Sequence, residues 1–340
     1  MALDIKVKID LSKPIGKLGY SYPLILVVKD TIEGESVKGY TEFKNLDEVI
    51  AAGYTNTGDN DIAISVYNTA RTIFLQDNAP DKIAIVECAK SNETTTISDC
   101  LKYGWRQLIT VAENALEATT KKGIANYIET TSKMYFCSVN DLKDIETIGT
   151  KLERTVVIYH NKTTPEAAVV GASAGLAAGS FSYKNLTLKN TIPLELTDTE
   201  IDEVHEAGAI TIVEKAGDIV TTEGKVLSGE YIDIIDSKDF VIQNIEYKTQ
   251  KVLNQAKKVP YDNNGIAMLE SATIEVMREA YNNGIIATND DGTPAYTVSF
   301  ALRSATSEAD RVARKYPYGS FSFVLAGAIH EVEVTGEISI

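Results

Sequence analysis

The stretch with the spacing of a nucleophile is Gly171-Ala172-Ser173-Ala174-Gly175, a formal G-x-S-x-G. In α/β-hydrolases that pattern seats a serine on a strained strand-to-helix elbow, and an acid and a histidine follow later in the chain. His205 and His330 lie downstream, so residue order alone permits a cytosolic α/β-hydrolase-like esterase using Ser173. The lead-in argues against it. Glu166-Ala167-Ala168 stands where the elbow needs a run of β-branched strand residues, and Gly171, Gly175 and Gly179 recur every four residues. That recurrence is what close packing between two elements requires, so a structural serine is preferred and the esterase is the alternative.

Other chemistry is weaker still. No Gly-Lys-Ser/Thr follows the glycines, so the run is not a P-loop. Asp233, Asp236 and Asp239 have the spacing of a helix entry, where carboxylates cap and face the helix dipole rather than bind a metal. His160, His205 and His330 form no pair with metal-ligand spacing. Trp105 and the 17 tyrosines are scattered, as packing residues are. The expectation is a protein that is not an enzyme, with no cofactor and no metal.

Two features point to surfaces instead. Ser307 to Lys315 reads as a charged helix: Glu308 and Asp310 at its start and Arg311, Arg314 and Lys315 at its end suit the helix dipole. Both ends of the chain alternate. Ile5, Val7 and Ile9 alternate with Asp4, Lys6, Lys8 and Asp10, while Val332 and Val334 alternate with Glu331 and Glu333. After Gly336, Ile338 and Ile340 continue the pattern. A strand with one apolar face needs a sheet to join, and two such strands of opposite polar character can pair within one chain or between chains. Residues 1–10 and 331–340 are therefore expected to be inter-subunit strand arms.

The elements between them follow from periodicity. Buried-type strands are expected at Tyr22–Lys29, Lys82–Cys88, Gln107–Val111, Met134–Val139 and Thr155–His160, with a more polar strand at Val37–Phe43. Helices alternate with them at 46–51, 59–76, 97–103, 121–129, 141–148 and 165–178. Strands of four to seven apolar residues alternating with helices indicate βαβ units and a mainly parallel sheet. The pattern then changes. A capping box opens a helix at Thr197, short antiparallel strands follow at 210–214, 218–222 and 225–227, and long helices are expected at 240–257 and 265–281. A strand at Tyr296–Leu302 and a terminal strand pair complete an α+β unit.

The chain has 340 residues, 44% of them hydrophobic and 24% charged, enough for two domains, or one large one, with a packed core. Its net charge of −15 argues against nucleic acid and allows a basic protein partner. Cys88, Cys100 and Cys137 form no C-x-x-C, which suits buried thiols in a reducing cytoplasm. No apolar run approaches a membrane span, so direct membrane insertion is not expected.

The order of short tags along the chain resembles the contractile tail sheath proteins of phages and of R-type bacteriocins. The tags are Gly229-Glu230-Tyr231-Ile232-Asp233, Asp236 with the helix after it, Lys258-Val259-Pro260-Tyr261, Gly265-Ile266-Ala267, Gly284-Ile285-Ile286-Ala287 and Leu325-Ala326-Gly327-Ala328-Ile329-His330. The helix from Tyr67 to Phe74 leading into Lys82-Ile83-Ala84-Ile85-Val86 is similar as well. The resemblance implies a fold that is α/β plus α+β: a discontinuous C-terminal sheath-type α+β domain, including the N-terminal strand, carrying an inserted α/β domain with a mainly parallel sheet. The boundaries expected are 1–20 for the arm and linker, 21–190 for the insertion, 191–330 for the core and 331–340 for the second arm. The resemblance further implies a helical homopolymer of stacked hexameric rings around an inner tail tube protein, with baseplate and tail terminator proteins as partners. Such a subunit assembles in the bacterial cytoplasm and ends in a phage tail or a released bacteriocin particle. In this family the Glu308–Lys315 region would face the tube through complementary charges.

Overall fold

The computed structural model describes residues 22–30, 37–58, 60–161 and 165–335. Its first half alternates strand and helix. In order these are β1 (Leu24–Lys29), β2 (Thr41–Phe43), α1 (Leu46–Ala51), α2 (Asp61–Phe74), β3 (Ile83–Ala89), α3 (Glu93–Cys100), β4 (Gln107–Ala112) and α4 (Ala118–Glu129). After them come β5 (Met134–Val139), α5 (Lys143–Ile148), β6 (Thr155–Tyr159) and α6 (Pro165–Ala174). The six strands form one sheet in the order β2-β3-β1-β4-β5-β6. Every pairing is parallel except that of the three-residue edge strand β2 with β3.

Successive side chains of a strand point to opposite faces, and here both faces are covered. Ile25 and Val27 of β1 pack with Ile62, Val66, Ala70 and Ile73 of α2 and with α6. Leu24, Leu26 and Val28 pack on the other side with Ile97, Ile124, Ile128 and Ile145 of α3, α4 and α5. A central strand covered on both faces has no use for a polar alternation, so it reads as an unbroken apolar run. α2 begins where Asn60 accepts a hydrogen bond from the Ala63 amide at 3.1 Å, a cap that contributes about 1 kcal/mol.

The glycine spacing marks close packing. A Cβ on Gly171 would lie 2.7 Å from the Cα of Ile73 in α2, and one on Gly175 would lie 2.3 Å from the Asn78 carbonyl oxygen. All three cysteines are buried, and burial pushes the Cys88 and Cys137 thiols up to about 12.

The second half contains α7 (Asp198–Glu206), β7 (Ile212–Lys215), β8 (Asp218–Thr221), α8 (Ile232–Gln255), α9 (Asn263–Asn282), β9 (Tyr296–Phe300), α10 (Glu308–Val312) and β10 (Gly319–Phe323). Thr197 and Glu200 form the expected capping box at the start of α7. Ala216 and Gly217, with φ of 53° and 90°, make the tight turn between β7 and β8. Ile210, Ile212, Val226, Ile232 and Ile235 belong to the same apolar cluster as α2 and α6. A separate cluster gathers Phe240, Val241 and Ile245 of α8 with Val276, Met277 and Ala280 of α9, under Tyr296, Val298, Phe321 and Phe323. One helix, α8, thus runs from the first core into the second.

Several expectations need correcting. α8 begins at Ile232, eight residues before Phe240, because Ile232 and Ile235 already bury against the sheet half. Lys225–Leu227 is not a strand. Lys225 makes a single bridge to Tyr231, while Val226 and Leu227 turn inward to fill the two faces of the sheet half. The charged helix is only Glu308–Val312, since Arg314 has a φ of 55° and ends it. Of the terminal strand pair the first becomes β10. The second, as far as Thr335, forms no strand among the described residues. Ile5, Val7, Ile9, Ile338 and Ile340 lie outside the described residues.

Candidate assembly surfaces and the buried joint

Ser173 lies inside α6 and is buried. Its hydroxyl donates to the Val169 carbonyl at 2.9 Å and accepts from Gln107 Nε2 at 3.0 Å. His205 Nε2 lies 2.9 Å from Thr222 Oγ1, and His330 Nε2 lies 2.8 Å from Ser182 Oγ. Among the described residues no imidazole hydrogen-bonds Ser173, the contact that activation of this serine would require. The serine is neither on an elbow nor open to substrate, so the esterase reading has no geometry to rest on.

The acidic trio divides. Asp233 stays in the first turn of α8, where its Oδ1 accepts from the Ile234 amide at 3.0 Å and burial pushes its carboxyl up. Asp236 and Asp239 do not cap the helix, contrary to the sequence expectation. One and two turns into α8, they meet two arginines that the sequence places more than eighty residues away. Arg154 grips Asp239 with both ends of its fork, Nη1 to Oδ2 at 2.7 Å and Nη2 to Oδ1 at 2.9 Å. Arg106 donates to Asp239 Oδ2 at 2.9 Å and, through Nε, to Asp236 Oδ1 at 3.0 Å. Tyr183 adds a hydroxyl donor to Asp236 at 3.2 Å. Arg106 and Arg154 sit just before β4 and β6, where the parallel strands begin, so the network pins α8 to the sheet's N-terminal edge. Burial alone would raise the Asp239 carboxyl, but the Arg106 and Arg154 guanidiniums outweigh it and hold the group below the ordinary carboxylate range. Nothing in the sequence reading flagged Arg106 or Arg154. The available signal was a pair of acids at i and i+3 on a helix whose neighbouring positions are apolar.

The charged helix is partly self-satisfied. Ser307 caps it by accepting from the Asp310 amide at 3.1 Å, and Asp310 Oδ2 accepts from Ser307 Oγ at 2.6 Å and Tyr318 OH at 2.5 Å. Those hydrogen bonds hold the Asp310 carboxyl below its ordinary value. Arg311 folds back onto Thr306. Glu308, Arg314 and Lys315 are exposed, beside Val312 at 78% exposure. The turn is carried by an aromatic group: Tyr316 packs on Tyr261 and Phe300 with ring centroids 6.0 and 5.9 Å apart, and Tyr261 OH donates to the Lys315 carbonyl at 2.8 Å.

β9 and β10 pair antiparallel from Phe300 opposite Gly319 to Tyr296 opposite Phe323. One face of this ribbon packs on the second core, and the other exposes Thr297, Ser299, Ser320 and Ser322. The sheet stops at two strands among the described residues. Two strands are marginally stable alone, and their free edges are pairing templates. Val332 and Val334, 78% and 87% exposed, lie in the alternating segment that leaves this ribbon.

Residues 232–338 match the family described as E217 tail sheath protein gp31-like, C-terminal domain. No curated protein shows significant sequence similarity to the chain. Solved structures with the same fold include a chain of the anti-feeding prophage baseplate, 12% identical with a TM-score of 0.72, covering 100% of this chain and 99% of that one. The anti-feeding prophage helical sheath in its contracted state is 11% identical with a TM-score of 0.73, covering 98% of each chain. The contracted sheath of the extracellular contractile injection system PVC is 13% identical with a TM-score of 0.68, covering 99% of this chain and 97% of that one. The fold is that of contractile sheath proteins, and the resemblance read from the sequence holds. Within that fold, residues 232–338 are the part similar to a tail sheath C-terminal domain.

Proposed function

We propose that the protein is the structural subunit of a contractile sheath, and that it acts by assembly rather than catalysis. It polymerises as stacked hexameric rings around an inner tube, held by the strand arms at residues 1–20 and 331–340. The extended array is metastable, and its conversion to a shorter, wider one drives the tube through a cell envelope. The observation that carries this reading is the pairing of an unfinished sheet with an unused strand. Among the described residues β9–β10 ends at two strands, and Val332 and Val334 alternate with acids in a segment that pairs with no strand. Adding a neighbour's arm to that ribbon satisfies both by main-chain hydrogen bonding.

The exposed charges of Glu308, Arg314 and Lys315, with Arg311 and Asp310 shaping the turn, form the surface toward the tube. Baseplate and terminator proteins close the two ends of the array. Assembly takes place in the bacterial cytoplasm, and the product is a phage tail or a bacteriocin-like particle. No helix among the described residues is long and apolar enough to cross a membrane. Electron microscopy of the purified chain tests the proposal: striated cylinders support it, and a small closed oligomer under all assembly conditions sinks it.

A further inference from the structure

Beyond β10 the chain crosses from one core to the other. The Val324 amide donates to Ala295 O and the Ala326 amide to Ile285 O, each at 2.9 Å, and Gly327 turns with a φ of 64°. The segment then lands on the sheet half. His330 Nε2 meets Ser182 Oγ at 2.8 Å, and its ring stands edge-on to Tyr231 with centroids 5.0 Å apart. Glu331 reaches Lys184 Nζ at 3.4 Å. Lys184 is a fixed post, its side chain 12% exposed and also 3.8 Å from Glu223. The crossing lies near a tight contact between the halves, where a Cβ on Gly179 would come within 2.3 Å of Ile285 Cγ1. Val332, the next residue, is already free of the surface.

We infer that residues 324–331 are a releasable strap, with His330 and Glu331 as its clasp on Ser182 and Lys184. The clasp sets where the C-terminal arm leaves the subunit, and a pull on the arm reaches the sheet half as well as β10. A side-chain hydrogen bond and a solvent-facing ion pair are each weak contacts, so the clasp opens under load while the buried core stays shut. Opening frees the chain from Gly327 to Glu331, which adds up to roughly 17 Å of reach at full extension. The strap therefore holds slack that an arm bridging two subunits draws on when their spacing changes. Only this last use rests on the assembly reading, because the clasp is a property of a single subunit.

Spin labels at Val334→Cys and Lys215→Cys in the full chain, diluted into excess unlabelled protein, read the clasp directly. Cys88, Cys100 and Cys137 are buried and stay unlabelled. A clasped arm gives a narrow label-to-label distance distribution, and adding His330→Ala with Glu331→Gln broadens it about two-fold or more. Equal widths with and without the two substitutions overturn the strap. Should the double variant lose its near-UV circular dichroism, Glu331→Gln alone decides, since it alters one exposed carboxylate: broadening supports the clasp and an unchanged width overturns it. A clasp that behaves as described in a chain that never polymerises would refute the assembly reading and leave the strap standing. The reverse pattern would do the opposite.

Discussion

Asp239 and Arg154 form a buried, two-toothed ion pair, with both guanidinium Nη atoms within 2.9 Å of the carboxylate oxygens. Arg154 belongs to the entry of β6 and Asp239 to the third turn of α8, so this contact fixes the one helix that runs through both cores. Arg106 shares the same carboxylate at 2.9 Å.

Asp239→Ala leaves two guanidiniums buried without their common partner, and should cost about 3–5 kcal/mol. Urea unfolding of the purified subunit measures it. A loss below about 1 kcal/mol would mean that water or Asp236 replaces the carboxylate.

The same network sets an acid limit. The Asp239 carboxyl is depressed in the folded state, so its stabilisation is present above the unfolded value and is lost as pH falls through the lower folded value. Asp239→Asn should flatten the fall in stability below about pH 4 while lowering stability at neutral pH. Urea midpoints for both proteins across that range are the check.

Glu166 responds in the opposite direction. Burial in the first turn of α6 pushes its carboxyl up to about 7, and its Oε2 has no hydrogen-bond partner among the described residues. A carboxyl with a raised folded value binds more protons folded than unfolded between its ordinary value and about 7. Stability from this group therefore falls as pH rises across that window. Glu166→Gln should remove that slope, as thermal midpoints between pH 5 and pH 8 would show; an unchanged slope contradicts the assignment.

Two glycine substitutions should part in sign. Gly171→Ala forces a Cβ to 2.7 Å from the Ile73 backbone and should destabilise by about 1–3 kcal/mol. Gly123→Ala in α4 has nothing within 4 Å of the new carbon and should stabilise by about 0.5–1 kcal/mol. Chemical denaturation of the pair decides whether the glycine in α6 is there for packing. Ser173→Ala, close by, should shift stability by no more than about 1 kcal/mol.

Much of the parallel sheet was legible because burial on two faces leaves unbroken runs such as Leu24–Lys29 and Ile83–Ala89, and because Asn60 and Thr197 mark helix starts chemically. The start of α8 was not. Gly229 and the acids after it look like a loop and a cap, and only the distant Arg106 and Arg154 explain why Asp236 and Asp239 are tolerated inside a helix. Lys225–Leu227 misled for a related reason: alternation shows that two faces are filled, not that a neighbouring strand is present. The exposed course of Val332 and Val334, outside any ladder among the described residues, was not legible either, because alternation alone does not say whether a strand finds a partner.

Deleting residues 332–340 tests the central claim most directly, with light scattering and electron microscopy for assembly and near-UV circular dichroism for the fold. Losing four or five ladder hydrogen bonds at about 1 kcal/mol each removes a repeated contact without unfolding a core. The assembly account predicts a folded subunit that forms no cylinders under conditions where the full chain does. Cylinders of ordinary length from the truncated chain, or a truncated chain that is molten and insoluble, would contradict it.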